Sequence, residues 1–92
     1  MIVHRVEKAF IIVNSLGLHA RPAAIVVQTA NRFQSDILFE KDGLQINAKS
    51  IMGVLTLAAG KGSLVMVVCE GADAAEALAA LAKVFEAGFG ER

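Results

Sequence analysis

The sequence lacks most of the features that would tie it to a disulfide framework, a metal, a nucleic acid or a lipid bilayer. Its single cysteine, Cys69, excludes an internal disulfide and any multi-cysteine zinc site. Neither sign of charge is in excess: nine Lys/Arg balance nine Asp/Glu, for a formal net charge of zero. A general nucleic-acid or membrane-surface binder shows a basic surplus, so neither partner is expected. The longest apolar runs, such as Ala9–Val13 and Leu64–Cys69, fall far short of the ~18 residues of a membrane span. Arg5, Glu7 and Lys8 interrupt the stretch where a signal peptide needs its apolar core, so the chain reads as cytoplasmic. It contains no repeat, low-complexity tract or linker.

What is present is an apolar chain of 92 residues with 55% hydrophobic residues, 16 of them alanine. That is too apolar for disorder and suits one closely packed domain over residues 1–92. The β-branched run at Val6–Val13 reads as a first strand. Asn14-Ser15-Leu16-Gly17 supplies a turn. Ala20–Asn31 reads as a helix, with Ala20, Ala23, Ala24, Val27 and Ala30 as its apolar stripe. Ile25-Val26-Val27 pulls toward strand, but Pro22 decides for helix: in a first turn its missing N–H costs nothing, whereas in a central strand it breaks the ladder.

Asp36–Lys41 and Leu44–Asn47 flank Asp42-Gly43, the signal for a type I′ hairpin. Ser50 precedes Ile51–Ala58, read as a brief helix capped by that serine and stopped at Gly60. Leu64–Glu70 is a central strand. Asp73–Ala87 is a helix with Asp73 as cap, Glu76 completing a capping box, Gly88 as terminator and Leu78, Leu81, Ala82 and Phe85 as its buried stripe. The order β-α-β-β-α-β-α implies an α+β, two-layer sandwich with helices on one face of a mostly antiparallel sheet.

Most candidate sites dissolve on inspection. Gly60-Lys61-Gly62-Ser63 lacks the Ser or Thr after lysine and the following helix of a phosphate loop, so it reads as a turn. Cys69 sits in an apolar strand and reads as a small buried hydrophobe. Glu7, Glu40, Asp42 and Glu70 are scattered at strand ends as solvated charges, and His4 is exposed. His4 and His19 make no metal site. No cofactor is called for.

His19 differs, because it stands at or beside the cap of a helix where histidine is not a favoured capping residue. The helix end carries about half a positive charge and Arg21 adds a full one. A positive surrounding resists a second charge on the ring, so a neutral, nucleophilic imidazole is expected. The same surrounding welcomes an anion, most naturally a phosphoryl group. Ser50 reads first as a helix cap. Its alternative is a phosphorylation site beside Lys49, next to the apolar Ile51, Met52 and Val54.

Gly17-Leu18-His19-Ala20-Arg21-Pro22-Ala23-Ala24 closely resembles the histidine-containing phosphocarrier family (HPr) of the bacterial phosphoenolpyruvate-dependent sugar phosphotransferase system. The likeness spans the chain in length and element order and includes Lys49-Ser50-Ile51-Met52-Gly53-Val54. The resemblance implies a four-stranded antiparallel sheet with three helices on one face, an open-faced sandwich. It implies a carrier with no catalytic turnover of its own, in which enzyme I phosphorylates His19 on Nδ1 and Arg21 stabilises the phosphate. The group then passes to the A domain of a sugar permease.

It also implies regulatory phosphorylation of Ser50 by an HPr kinase/phosphorylase, and docking through Ala20, Ala23, Lys49, Ile51, Met52 and Leu55. A monomer is expected. Some family members carry lysines on the outer side of the first helix where this chain has Gln28 and Asn31, which shifts docking toward apolar contacts. The tail Phe89-Gly90-Glu91-Arg92 is similar to that of proteobacterial relatives, including a nitrogen-related branch that serves other acceptors. A second reading, a regulatory module docking through Ser50 and its apolar patch, leaves His19 idle.

Overall fold

Four strands and three helices are laid down in the expected order in the computed structural model, which describes residues 4–91. Arg92, the last residue of the tail, lies outside the described residues. The strands are β1 (His4–Ile11), β2 (Asp36–Lys41), β3 (Leu44–Asn47) and β4 (Leu64–Gly71). The helices are α1 (Ala20–Ala30), α2 (Ile51–Leu57) and α3 (Ala74–Glu86), followed by a 3₁₀ turn at Gly88–Gly90. All pairings are antiparallel, in the spatial order β1-β4-β2-β3.

β4 is central, as its composition implies, and alternation along it decides the layers. Val65, Val67 and Cys69 point into the core with Phe10, Ile37 and Phe39. The helices cover that face, while Arg5, Glu7, Asp36 and Glu70 lie exposed. Cys69 is fully buried, and desolvation, with the charge of Asp73 adding, pushes its thiol up to about 11. Such a thiol is inert. The hairpin has the expected bounds, with Asp42 and Gly43 both at positive φ (51° and 83°) as a type I′ turn requires.

Several local expectations are corrected. β1 begins and ends two residues earlier than the apolar run suggests, because its partner sets the register: Ile11 pairs with Leu64, where β4 starts. Beyond it, Ile12 bonds to the turn instead, donating to Ser63 O (3.0 Å) and accepting from Gly62 N–H (2.8 Å). Gly60–Ser63 is therefore a turn, as read. α1 is rotated relative to the expected stripe: Pro22, Ala23, Val26, Thr29 and Ala30 are buried, while Ala20 is exposed and Ala24 and Val27 are half-buried. Thr29 fits inside because its hydroxyl donates to Ile25 O at 2.8 Å.

Asp73 occupies the cap position of α3, yet its side chain makes no cap hydrogen bond. It accepts from the Gln34 and Ser35 backbone N–H groups (2.8 and 2.9 Å) and from the Ser35 hydroxyl. The Ser35 hydroxyl first, then the Gln34 amide, hold its carboxyl below the ordinary value. The expected capping box is thus a clamp between α3 and the approach to β2. α3 buries Ala74, Ala77, Leu81 and Phe85, with Leu78 and Ala82 half-buried at its margin.

Phe85 is the hub of the core. Its ring stacks on Phe10 at 4.8 Å, meets Phe39 at 5.5 Å and takes Phe89 edge-on at 5.1 Å. The chain reaches that last contact by leaving α3 through Gly88 at φ 59°, the left-handed terminator. Phe89 is itself left-handed at φ 57°, unusual for a bulky residue and maintained here by burial of its ring. This hook turns the C-terminal segment back toward the start of α1.

Candidate functional site

His19 is the N-cap residue of α1, with extended backbone angles (φ −80°, ψ −168°). Its carbonyl accepts the first helical bond, from Ala23 N–H at 2.9 Å. Its side chain makes no cap bond. Pro22 needs no acceptor, so the N–H groups of Ala20 and Arg21 are left facing outward at the positive end of the helix. Arg21 is exposed beside them.

The loop before His19 is held from behind. Leu18 N–H donates to Ala59 O at 2.9 Å, and buried Leu18 anchors the turn in the core. Gly17 is left-handed at φ 67°, and a Cβ there would fall 2.3 Å from Ala59 O and 2.7 Å from the Gly60 Cα. Only glycine fits that approach.

One partner of His19 was not legible in the sequence. Both carboxylate oxygens of Glu91 lie 3.0 Å from Nε2. Asn14, fully buried, donates its amide to the same carboxylate at 2.9 Å and to Gly17 O at 2.8 Å. Among the described residues its Oδ1 has no partner. The bond from His19, ahead of the one from Asn14 and the charges of His19 and Arg21, holds the Glu91 carboxyl below its ordinary value despite partial desolvation. The field at the ring is therefore not purely positive, as the sequence suggested. Ser15, Leu16, Arg21, Gly90 and Glu91 border a surface depression of about 300 Å³ beside this group.

Ser50 caps α2 as expected, accepting from Gly53 N–H at 3.1 Å. α2 stops at Ala58, which takes the left-handed position (φ 52°) assigned in the sequence to Gly60. At 1.5 Å per residue α2 spans about 10 Å. Ser50 thus stands at one end of α2, and the Ala59–Gly60 segment that holds the His19 loop follows the other.

The expected docking residues divide. Ile51, Met52 and Leu55 are exposed on α2, Met52 at 74%, and Ala20 is exposed on α1. Ala23 is 0% exposed and faces the core, so its assignment to docking is overturned. Lys49, half-buried, donates from its ammonium to Phe33 O at 2.8 Å, which ties the side chain down while leaving its charge in place. Leu16, 73% exposed in the turn before His19, joins the exposed apolar residues unforeseen. Among the described residues no group of three or more His, Cys, Asp or Glu could hold a metal ion.

Comparison with known proteins follows the same lines. Residues 6–87 match the family model described as PTS HPr component phosphorylation site. Over 86 residues the chain is 48% identical to the phosphocarrier protein HPr of Treponema pallidum, covering 94% of this chain and 98% of that one. Over 81 residues it is 52% identical to the HPr-like protein Crh of Halalkalibacterium halodurans, covering 88% and 96%. The crystal structure of HPr-C-His from Thermoanaerobacter tengcongensis matches it with a TM-score of 0.91 at 48% identity, covering 95% and 98%.

Replacing Gly17 with alanine combines left-handed strain with a backbone clash, so Gly17→Ala is expected to cost at least ~2 kcal/mol. Urea unfolding reads this directly. A loss below about 0.5 kcal/mol, the range of an ordinary surface substitution, would contradict the described packing.

Proposed function

The chain belongs to the HPr family of phosphocarrier proteins, and from that premise we propose that it accepts a phosphoryl group on His19 from phosphorylated enzyme I and passes it to sugar-permease A domains. It carries the group and does not turn over a substrate of its own. The supporting observation is the imidazole on a helix N-cap whose first-turn N–H groups have no side-chain acceptor. Those groups and the Arg21 guanidinium are the fitting partners for three phosphoryl oxygens. Phosphoryl transfer asks for positioning and charge stabilisation, which a rigid cap residue on a pinned loop supplies. Each such contribution is modest, about 0.3–1 kcal/mol for a helix end, which suits a group that must leave again.

In this reading the protein acts as a single cytoplasmic domain over residues 1–92 and as a monomer. No described helix is long and apolar enough to cross a membrane. The exposed faces of Ala20, Ile51, Met52 and Leu55, extended by Leu16, form the apolar surface for partners. Ser50 is a regulatory site for an HPr kinase/phosphorylase: a phosphate there adds about −1.5 to −2 charges beside Ile51 and Met52 and costs the helix its neutral cap. The chain is also similar to a protein named HPr-like, Crh, and one further reading is a regulator that docks through Ser50 and the same surface without using His19. The nitrogen-related branch differs from the first reading only in the acceptor.

Incubation with enzyme I and phosphoenolpyruvate is expected to add about 80 Da as an acid-labile group, absent from His19→Ala. Adduct surviving that substitution refutes the carrier reading, as does no adduct on the folded wild type. Aspartate also caps helices, so Ser50→Asp is expected to keep the fold while slowing transfer from enzyme I roughly tenfold. Equal transfer rates at matched stability would refute regulation at Ser50.

A further inference from the structure

We propose that the open face of the sheet, opposite the helices that carry His19 and Ser50, is a docking surface for a basic amphipathic helix of another protein. Both faces can then be occupied at once, so a partner holds the domain without covering its helical side. The docking does not depend on the carrier reading.

Register defines that face. Cross-strand partners share one side of a sheet, and the core side takes Phe10, Ile37, Phe39, Val65 and Val67. The other side therefore carries Ile11 beside Leu64, Ala9 beside Met66, and Val68 beside Leu38. These six form one unbroken apolar diagonal across β1, β4 and β2. Ile11 and Leu64, at its end, are 50% and 58% exposed. A single exposed apolar side chain needs no explanation, but a contiguous band rimmed by charge marks an interaction surface. From Ile11 to Leu38 the band runs about 16 Å, the length of a helix of roughly 11 residues.

Charge selects the occupant. Glu7, Glu40, Glu70 and Asp36 border the band, against Arg5 and, at one corner, Lys49. Two copies packed sheet to sheet would set carboxylates against carboxylates, and an acidic face repels nucleic acid and anionic lipid. A helix with lysines or arginines flanking an aliphatic stripe matches both the band and its border. One corner is a concavity of about 280 Å³ lined by Leu38 and Val68 together with Arg5, Asp36, Lys49 and Glu70. Asp36 and Glu70 stand directly opposite one another in register, a like-charge pair that costs stability. Arg5 faces Glu70 from the far side, Nε to Oε2 at 3.8 Å, but bonds Glu7 more closely at 2.9 Å. Lys49 is tied to Phe33 O, and the Asp36 carboxylate has no partner among the described residues. One long cationic side chain of the docked helix fits there, its stem on Val68 and Leu38 and its head between Asp36 and Glu70.

A synthetic amphipathic helix of leucine and lysine, about 14 residues long, serves as the probe and is titrated into the ¹⁵N-labelled full chain. Amide shifts are expected along β1, β4 and β2, with α1 and α2 nearly still. The same peptide with glutamate in place of lysine is expected to leave the spectrum unchanged. Leu64→Ser is expected to weaken binding about threefold, and Asp36→Lys combined with Glu40→Lys about tenfold, with circular dichroism unchanged in both. No shift at millimolar peptide, shifts centred on α1 and α2, equal binding of the glutamate peptide, or wild-type affinity in either folded variant overturns the proposal.

Discussion

The hydrogen bond from Leu18 N–H to Ala59 O ties the loop ahead of α1 to the segment leaving α2. It forms only because Gly17 takes a left-handed backbone that brings the loop against Ala59 and Gly60 with no room for a side chain. Once that tie exists, Leu18 points inward and His19, the next residue, falls at the extended cap position of α1. A serine or aspartate there would bond back to the helix N–H groups and quench their field. Histidine makes no such bond, so the helix keeps its partial positive charge facing outward and gains a nucleophile at the same point. Stability at this terminus is exchanged for the feature that the proposed function uses as its anion site.

A carrier has a narrower electrostatic task than a phosphate-binding protein, because what it takes up it must release. In the proposed reading Arg21 and the open helix end favour a phosphoryl group on His19, and the nearby carboxylate of Glu91 opposes its negative charge. The opposition is built into the fold at some cost: a buried asparagine whose oxygen has no partner among the described residues, and a phenylalanine in a left-handed conformation. α2 joins this centre to Ser50, so a charge at Ser50 and a charge at His19 border one apolar surface.

Local signals made most of this architecture legible. Asp42-Gly43, Ser50, Pro22 and Gly88 each act within a turn or two of themselves, and their expected roles recur in the structure. His19 was legible for the same reason, as a side chain at odds with its local position. What escaped depends on distant partners. Glu91 lies 72 residues from His19, and only the hook at Gly88 and Phe89 brings them together. Asp73 reads as a helix cap by spacing, but its oxygens are claimed by Gln34 and Ser35, more than 37 residues away. Ala23 matched a docking position by resemblance, yet it also stands on the apolar stripe read from helical spacing, and there it is buried beside Val26 and Thr29.

Amide NMR of the ¹⁵N-labelled protein before and after phosphorylation tests the central claim most directly. If the open end of α1 receives the phosphoryl oxygens, the N–H resonances of Ala20 and Arg21 move the furthest downfield while the α2 and sheet amides stay nearly still. Phosphorylation that leaves those two amides in place, or spreads its effect evenly over the sheet, would contradict a helix-end site.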